Sequence, residues 1–221
     1  MTNSFNSDDM VRNVETLDRR RVRTRAALLR AGQSLFAERS VDGVSIDDIV
    51  AAADVAKGSF YNHFPDKDAL AQALADQARA SVEAMVAHVG AGVADPAERV
   101  ARALCAFARQ AVEHPEGVRM MLRLFHGAAI PDAPMNAGVR ADIQAGLAAG
   151  RFSGLSLEAA VLMAVGTVQI TVARVLDHDA PAQAAALARE MAAALLRALA
   201  VDPAEGWTIA DRAATDLFAP A

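Results

Sequence analysis

Three features of this 221-residue sequence predict an all-α protein. Alanine and leucine dominate, while β-branched and aromatic residues are sparse. Apolar residues recur at helical spacing through most of the chain. Prolines stand between the periodic segments rather than inside them. With 53% apolar and 22% charged residues the composition is globular, and the length suits one or two cores.

The elements follow in chain order. Residues 1–18 are polar and read as a flexible tail. The first helix is expected from about Arg20 to Arg39, with Leu28, Ala31 and Leu35 on its apolar stripe. Gly43 marks a turn, and Ser45-Ile46-Asp47-Asp48 fits a capping box that opens a second helix ending near Ala53. Asp54-Val55-Ala56 is the next turn. A third helix runs from about Lys57 to His63 and is stopped by Pro65. Asp66 caps a long fourth helix carrying Leu70, Leu74, Met85 and Val89.

Beyond it, Asp95-Pro96 and Pro115 open two more helices. A loop with Pro131 and Pro134 follows, and a helix through Val139, Ile143 and Leu147 ends at Gly150. Two long helices close the fold, at about 157–176 and 181–199. The tail from Val201, with Pro203, Gly206 and Trp207, is expected to add a short helix. The helix at 157–176 is apolar over most of its circumference, so it needs burial on nearly every side. Cover by a second copy of the chain explains it better than the chain's own core.

The residues from 45 to 70 carry the strongest functional signal. The third helix crowds Lys57, Gly58, Ser59, Tyr61, Asn62 and His63 around two apolar anchors, Phe60 and Phe64. A helix with one greasy edge and one edge of hydrogen-bonding tips suits the major groove of DNA. The net charge of −5 argues the other way. However, arginines 19, 20, 21, 23, 25, 30 and 39 meet one acid in that interval, Glu38. DNA affinity needs a local basic face, not a basic protein. The alternative is a solvated arginine-rich helix beside a module that grips protein through residues 57–67.

The stretch from about Arg25 to Leu74 resembles the TetR family of bacterial transcriptional regulators. The resemblance rests on Leu35-Phe36, Ser45-Ile46, Asp48-Ile49, Ala53, Lys57-Gly58-Ser59-Phe60-Tyr61, His63-Phe64, Lys67 and Leu70. It implies a three-helix helix-turn-helix DNA-binding domain over 19–66. It also implies a larger helical domain over 67–221 that binds a small effector and dimerises through the helices at 157–176 and 181–199. It further implies a homodimer on a pseudo-palindromic double-stranded operator, in most cases as a repressor. Lys57, Ser59 and Asn62 then read base edges, and Gly58 lets the backbone come close. Tyr61, His63, Lys67 and Ser45 contact phosphates, with backbone contact strengthened by Arg23, Arg25 and their neighbours. Three positions depart from the pattern: Asp54 where glycine is usual, Ala56 where serine is usual, and Ser40 for glycine. Aspartate tolerates the left-handed geometry of that turn.

In the C-terminal part, Phe107, Met121, Phe125, His126, Met163 and Gln169 are the candidate effector contacts; an ordinary core is the alternative for the apolar ones. His126 and Gln169 are polar groups inside apolar stretches and need partners. Cys105, the single cysteine, excludes an internal disulfide framework and a cysteine-based zinc site and reads as a core thiol. No cofactor is expected. No P-loop, nucleotide-binding glycine fingerprint, nucleophile elbow or metal-spaced His/Glu pair occurs, so the chain does not read as an enzyme. With no signal peptide and no run of 18 apolar residues, a cytoplasmic protein with no membrane span is expected.

Overall fold

The computed structural model describes residues 7–124, 136–177 and 180–219, with side chains from residue 18 onward. The described residues form helices α1 (Ser7–Glu38), α2 (Ile46–Ala52), α3 (Lys57–Tyr61), α4 (Lys67–Gly90), α5 (Pro96–Glu113), α6 (Pro115–Leu124), α7 (Ala137–Ala148), α8 (Leu157–Val175), α9 (Pro181–Ala198) and α10 (Pro203–Phe218). The all-α expectation holds. The chain divides into two compact units, Met1–Leu74 and Ala75–Ala221.

Two boundaries in the first unit differ from expectation. Helix α1 begins at Ser7, inside the stretch read as a tail. No proline or glycine interrupts residues 7–31, and extending an existing helix avoids the cost of nucleation. The first unit also reaches past Asp66, because the first two turns of α4 bury Leu70 and Leu74 in its core. They join Leu28, Phe36, Val44, Ile49, Phe60 and Phe64 there. Gly32 lets α1 and α4 approach: a Cβ on it would stand 2.9 Å from Leu70 Cδ2.

The second unit is built on α5, which buries Val100, Ala101, Leu104, Cys105, Ala108 and Ala111 among α8, α9 and α10. Burial pushes the Cys105 thiol up to about 12, so it stays protonated and inert. Helix α9 presents Ala184, Ala188 and Ala192, all fully buried, one turn apart. Small side chains there let its neighbours pack closely.

The C-terminal tail is a full helix rather than a short one. Asp202 caps α10 by accepting from the Ala204 and Glu205 amides, and Pro203 sits at its first position. Gly206 is buried within α10, and a Cβ on it would meet Leu196 and Val201 at ordinary contact distance, so it is a packed helix position rather than a break. Ala200, at φ +62°, closes α9, and the Val201 amide donates to the Leu196 carbonyl at 3.0 Å.

Helix α8 is covered on one side only by its own chain. It buries Ala160, Val161, Ala164, Thr171, Val172 and Val175 in its own unit. The opposite side is open: Leu162 and Met163 are exposed, and Ile170 is 66% exposed. Although no unbroken apolar run of 18 occurs, α8 is long and apolar enough on average to cross a membrane. Its buried residues pack against α5, α7 and α9, as those of a core helix do.

Candidate nucleic-acid interface and effector cavity

The helix-turn-helix is held by its caps. The Ser45 hydroxyl accepts from the Asp48 amide at 3.1 Å, and the Asp48 carboxylate accepts from the Ser45 amide at 3.0 Å, the expected capping box. The Ser45 amide first, then the Ser45 hydroxyl and Arg39, hold the Asp48 carboxyl below its ordinary value. At the other end of α2, Asp54 takes φ +53°, the left-handed geometry that its aspartate was expected to tolerate. The Asp54 amide donates to the Ala51 carbonyl at 3.2 Å, and the Val55 amide to the Val50 carbonyl at 3.1 Å. The paired bonds form a glycine-free Schellman turn.

That turn launches α3 with its faces sorted. Phe60 and Phe64 are buried, their ring centroids 5.9 Å apart. Tyr61 meets Phe60 edge-on at 5.6 Å, yet is 52% exposed. Lys57, Gly58 and Asn62 are exposed and Ser59 half-buried on the same outward side. Regular helix ends at Tyr61, with Asn62 as its C-cap, two residues before the expected end. Ala56 provides no side-chain cap, as its replacement of serine implied.

Around this helix the charges are specific. Lys57 Nζ lies 2.8 Å from Asp47 Oδ1, and the hydrogen bond to Asp47 raises the lysine pKa. The Arg25 guanidinium lies 5.2 Å over the Phe64 ring. His63 is half-buried; burial first, then Arg21 and Arg25, hold its imidazole below 6.5, so it is neutral near pH 7. Arg23 is exposed on α1. Lys67 is placed differently from an outward phosphate contact. Its Nζ donates to the carbonyls of Val41 at 2.9 Å and of Asp42 and Val44 at 3.3 Å. An ammonium has three N–H groups, and these three acceptors match them. Lys67 fastens the α1–α2 loop to α4.

The second unit encloses a cavity of about 380 Å³ among α4, α5, α6, α7, α8 and α9. Its walls are mostly aliphatic, with Phe107 as the aromatic member and Glu83, Arg99, Asn136, Asp142 and Gln169 as the larger polar ones. Of the expected effector contacts, Phe107, Met121 and Gln169 line it. Met163 does not; it lies 45% exposed on the other side of α8. Phe125 and His126 lie outside the described residues. Val82 and Val86, one turn apart on α4, also line it and were legible in principle as an apolar edge. The pairing of Arg99 with Asp142, from helices far apart in sequence, carries no sequence signal.

Comparison with known proteins agrees with this geometry. Residues 28–74 match the family model described as bacterial regulatory proteins, tetR family. Residues 95–212 match a tetracyclin repressor-like C-terminal domain. The HTH-type transcriptional repressor DhaR of Mycobacterium sp. (strain GP1) is 49% identical over 49 residues, 22% of this chain and 25% of that protein. The A-factor receptor protein of Streptomyces griseus is 36% identical over 64 residues, 29% of this chain and 23% of that protein. These matches therefore span about a quarter of each relative's length. The crystal structure of RolR in complex with resorcinol is 32% identical, with a TM-score of 0.57, and covers 88% of this chain and 96% of its own. A gamma-butyrolactone receptor structure shares the fold, with a TM-score of 0.70 at 22% identity, over 89% of this chain and 99% of its own.

Proposed function

Because the chain belongs to the TetR family of bacterial regulatory proteins, we propose that it is a homodimeric, sequence-specific DNA-binding repressor released by a small organic effector. The observation that carries the reading is the sorting of α3. Phe60 and Phe64 anchor it, while Lys57, Gly58, Ser59, Tyr61 and Asn62 face outward, with Arg21 and Arg25 close to its C-terminal end. In this reading Lys57, Ser59 and Asn62 contact base edges. Tyr61, His63, Ser45 and the arginines contact the phosphate backbone.

The dimer is assigned to the open side of α8, where Leu162, Met163 and Ile170 expose apolar surface that a second copy would cover. The effector is assigned to the cavity beside Phe107, Met121 and Gln169. RolR, a relative of similar length, holds resorcinol, which supports a small-molecule effector here. The effector releases DNA only by as much as it favours the released state over the bound one.

Selection from genomic DNA tests the reading. Sheared DNA from the source is bound by the purified protein, washed at about 150 mM salt and sequenced, with Tyr61→Ala as control. Enriched fragments sharing an inverted repeat, lost in the variant, support it. An unselective pool identical for both proteins overturns it.

A further inference from the structure

We propose that the cavity of the second unit selects an uncharged, largely apolar molecule carrying a hydroxyl or carbonyl group held by Gln169, and rejects anions. The inference rests on the effector reading above and adds the chemical class of the ligand.

The wall supplies the size and the apolar character. Val100, Leu104, Phe107, Met121, Val165 and Val168 line about 380 Å³, within the span of roughly 300–1,000 Å³ common for small-molecule sites. The charged groups decide the rest. Arg99 is the one cation among the lining residues described. Its Nε donates to Asp142 Oδ1, and its Nη1 donates to the carbonyls of Val93 at 3.0 Å and Ala94 at 2.9 Å. Both members of the pair are largely buried, with side-chain exposures of 20% and 17%. Glu83 accepts from Arg79 at 3.0 Å.

An anionic ligand therefore meets a buried guanidinium that already has its counter-charge in Asp142, while Glu83, half exposed and paired with Arg79, supplies no attraction. To reach Arg99 it must displace Asp142 and leave that carboxylate unpaired in a mostly apolar surrounding, which is unfavourable. Gln169 differs. It lines the cavity half-buried, and among the described residues its amide has no hydrogen-bond partner. The amide offers both a donor and an acceptor, so a neutral hydroxyl or carbonyl satisfies it without burying charge.

The test is ligand-observed NMR on the full-length protein with matched fragments. Each ring or chain is presented as a hydroxyl or ketone, as a carboxylate and as an amine, with toluene as a purely apolar probe. The neutral polar members are expected to bind about tenfold tighter than their carboxylates. Gln169→Leu is expected to remove about tenfold of that affinity, one hydrogen bond's worth, and to leave toluene unaffected. Asp142→Asn, which frees the Arg99 charge, is expected to let carboxylates in. Carboxylates or amines binding wild type as tightly as the neutral members would overturn the class. So would neutral binding indifferent to Gln169→Leu in a variant whose melting temperature is unchanged. If no fragment of any class binds, the effector reading of the cavity itself fails, and this inference with it.

Discussion

The ammonium of Lys57, at the start of the helix assigned to base reading, lies 2.8 Å from the carboxylate of Asp47 on the helix before it. Both side chains are well exposed, so the pair is weak and readily exchanged for another acceptor. It orients the lysine and places a negative charge where phosphates would approach. Lys57→Ala is expected to relax discrimination at one base pair by about tenfold or more. Asp47→Asn is expected to strengthen binding to all sequences and to steepen its salt dependence. Binding curves on the selected operator and on scrambled DNA, across salt, read both effects. The raised lysine pKa means that the pair is intact below about 10.5 and is lost only as pH rises through the higher folded value. Between pH 6 and 9 the pair should therefore add no pH dependence to binding.

Lys67 donates to three loop carbonyls, so its loss should first be a loss of stability. Lys67→Met leaves the Val41, Asp42 and Val44 carbonyls without their charged donor and is expected to cost roughly 2 kcal/mol. Thermal unfolding without DNA reads this directly. An unchanged melting temperature with weakened DNA binding would instead place Lys67 on phosphate.

Gly58 separates stability from binding. A Cβ there meets nothing within 4 Å, and alanine is the better helix former by about 1 kcal/mol. Gly58→Ala should leave the melting temperature unchanged or higher. Operator affinity should nevertheless fall, because the added methyl stands on the side assigned to DNA. Unchanged affinity would mean that the backbone at Gly58 does not approach the duplex closely.

Arg151 ties three segments of the second unit together. It pairs with both carboxylate oxygens of Asp95, at 2.9 Å each, and with Glu205 at 2.8 and 3.1 Å. The hydrogen bond from Arg151 is the main cause that lowers the Asp95 pKa below 3.8, with the Ala97 amide and Arg99 adding to it against burial. A lowered folded pKa gives stability that is present above pH 3.8 and lost as pH falls through the folded value. Acid unfolding of wild type should therefore steepen below about pH 4, and Asp95→Asn, which keeps the cap, should flatten that limb. Arg151→Met should cost about 2 kcal/mol, discounted for the partial exposure of Glu205.

What the sequence made legible follows from the range of each interaction. Ser45 with Asp48, and Asp54 with Val55, form local bonds within a few residues, so the capping box and the glycine-free turn could be read directly. Phe60 and Phe64 are read by periodicity. The three acceptors of Lys67 lie more than twenty residues away in sequence, and nothing local predicts them. The cavity depends on which side of α8 faces inward. Because α8 is apolar nearly all round, its period could not tell Gln169, which lines the cavity, from Met163, which does not. The length of α10 is less legible, because Pro203 and Gly206 are weak helix formers, yet Pro203 serves here as a helix start and Gly206 as a buried helix position.

The open side of α8 yields the last prediction. Leu162, Met163, Gly166 and Ile170 recur at helical spacing. Ile170 is 66% exposed, and a Cβ on Gly166 would meet nothing within 4 Å. Exposed apolar residues in such a line favour association, and a second copy of the same side is the simplest symmetric cover. Ile170→Asp would place two carboxylates near the interface of such a dimer, with no gap opened in the folded unit. Sedimentation should find wild type dimeric and the variant monomeric, with the helical circular dichroism signal retained. Operator affinity should fall together with the dimer, because a palindrome gains its strength from two linked heads. A variant that stays dimeric would move the interface off this side of α8 and leave its apolar line to another role.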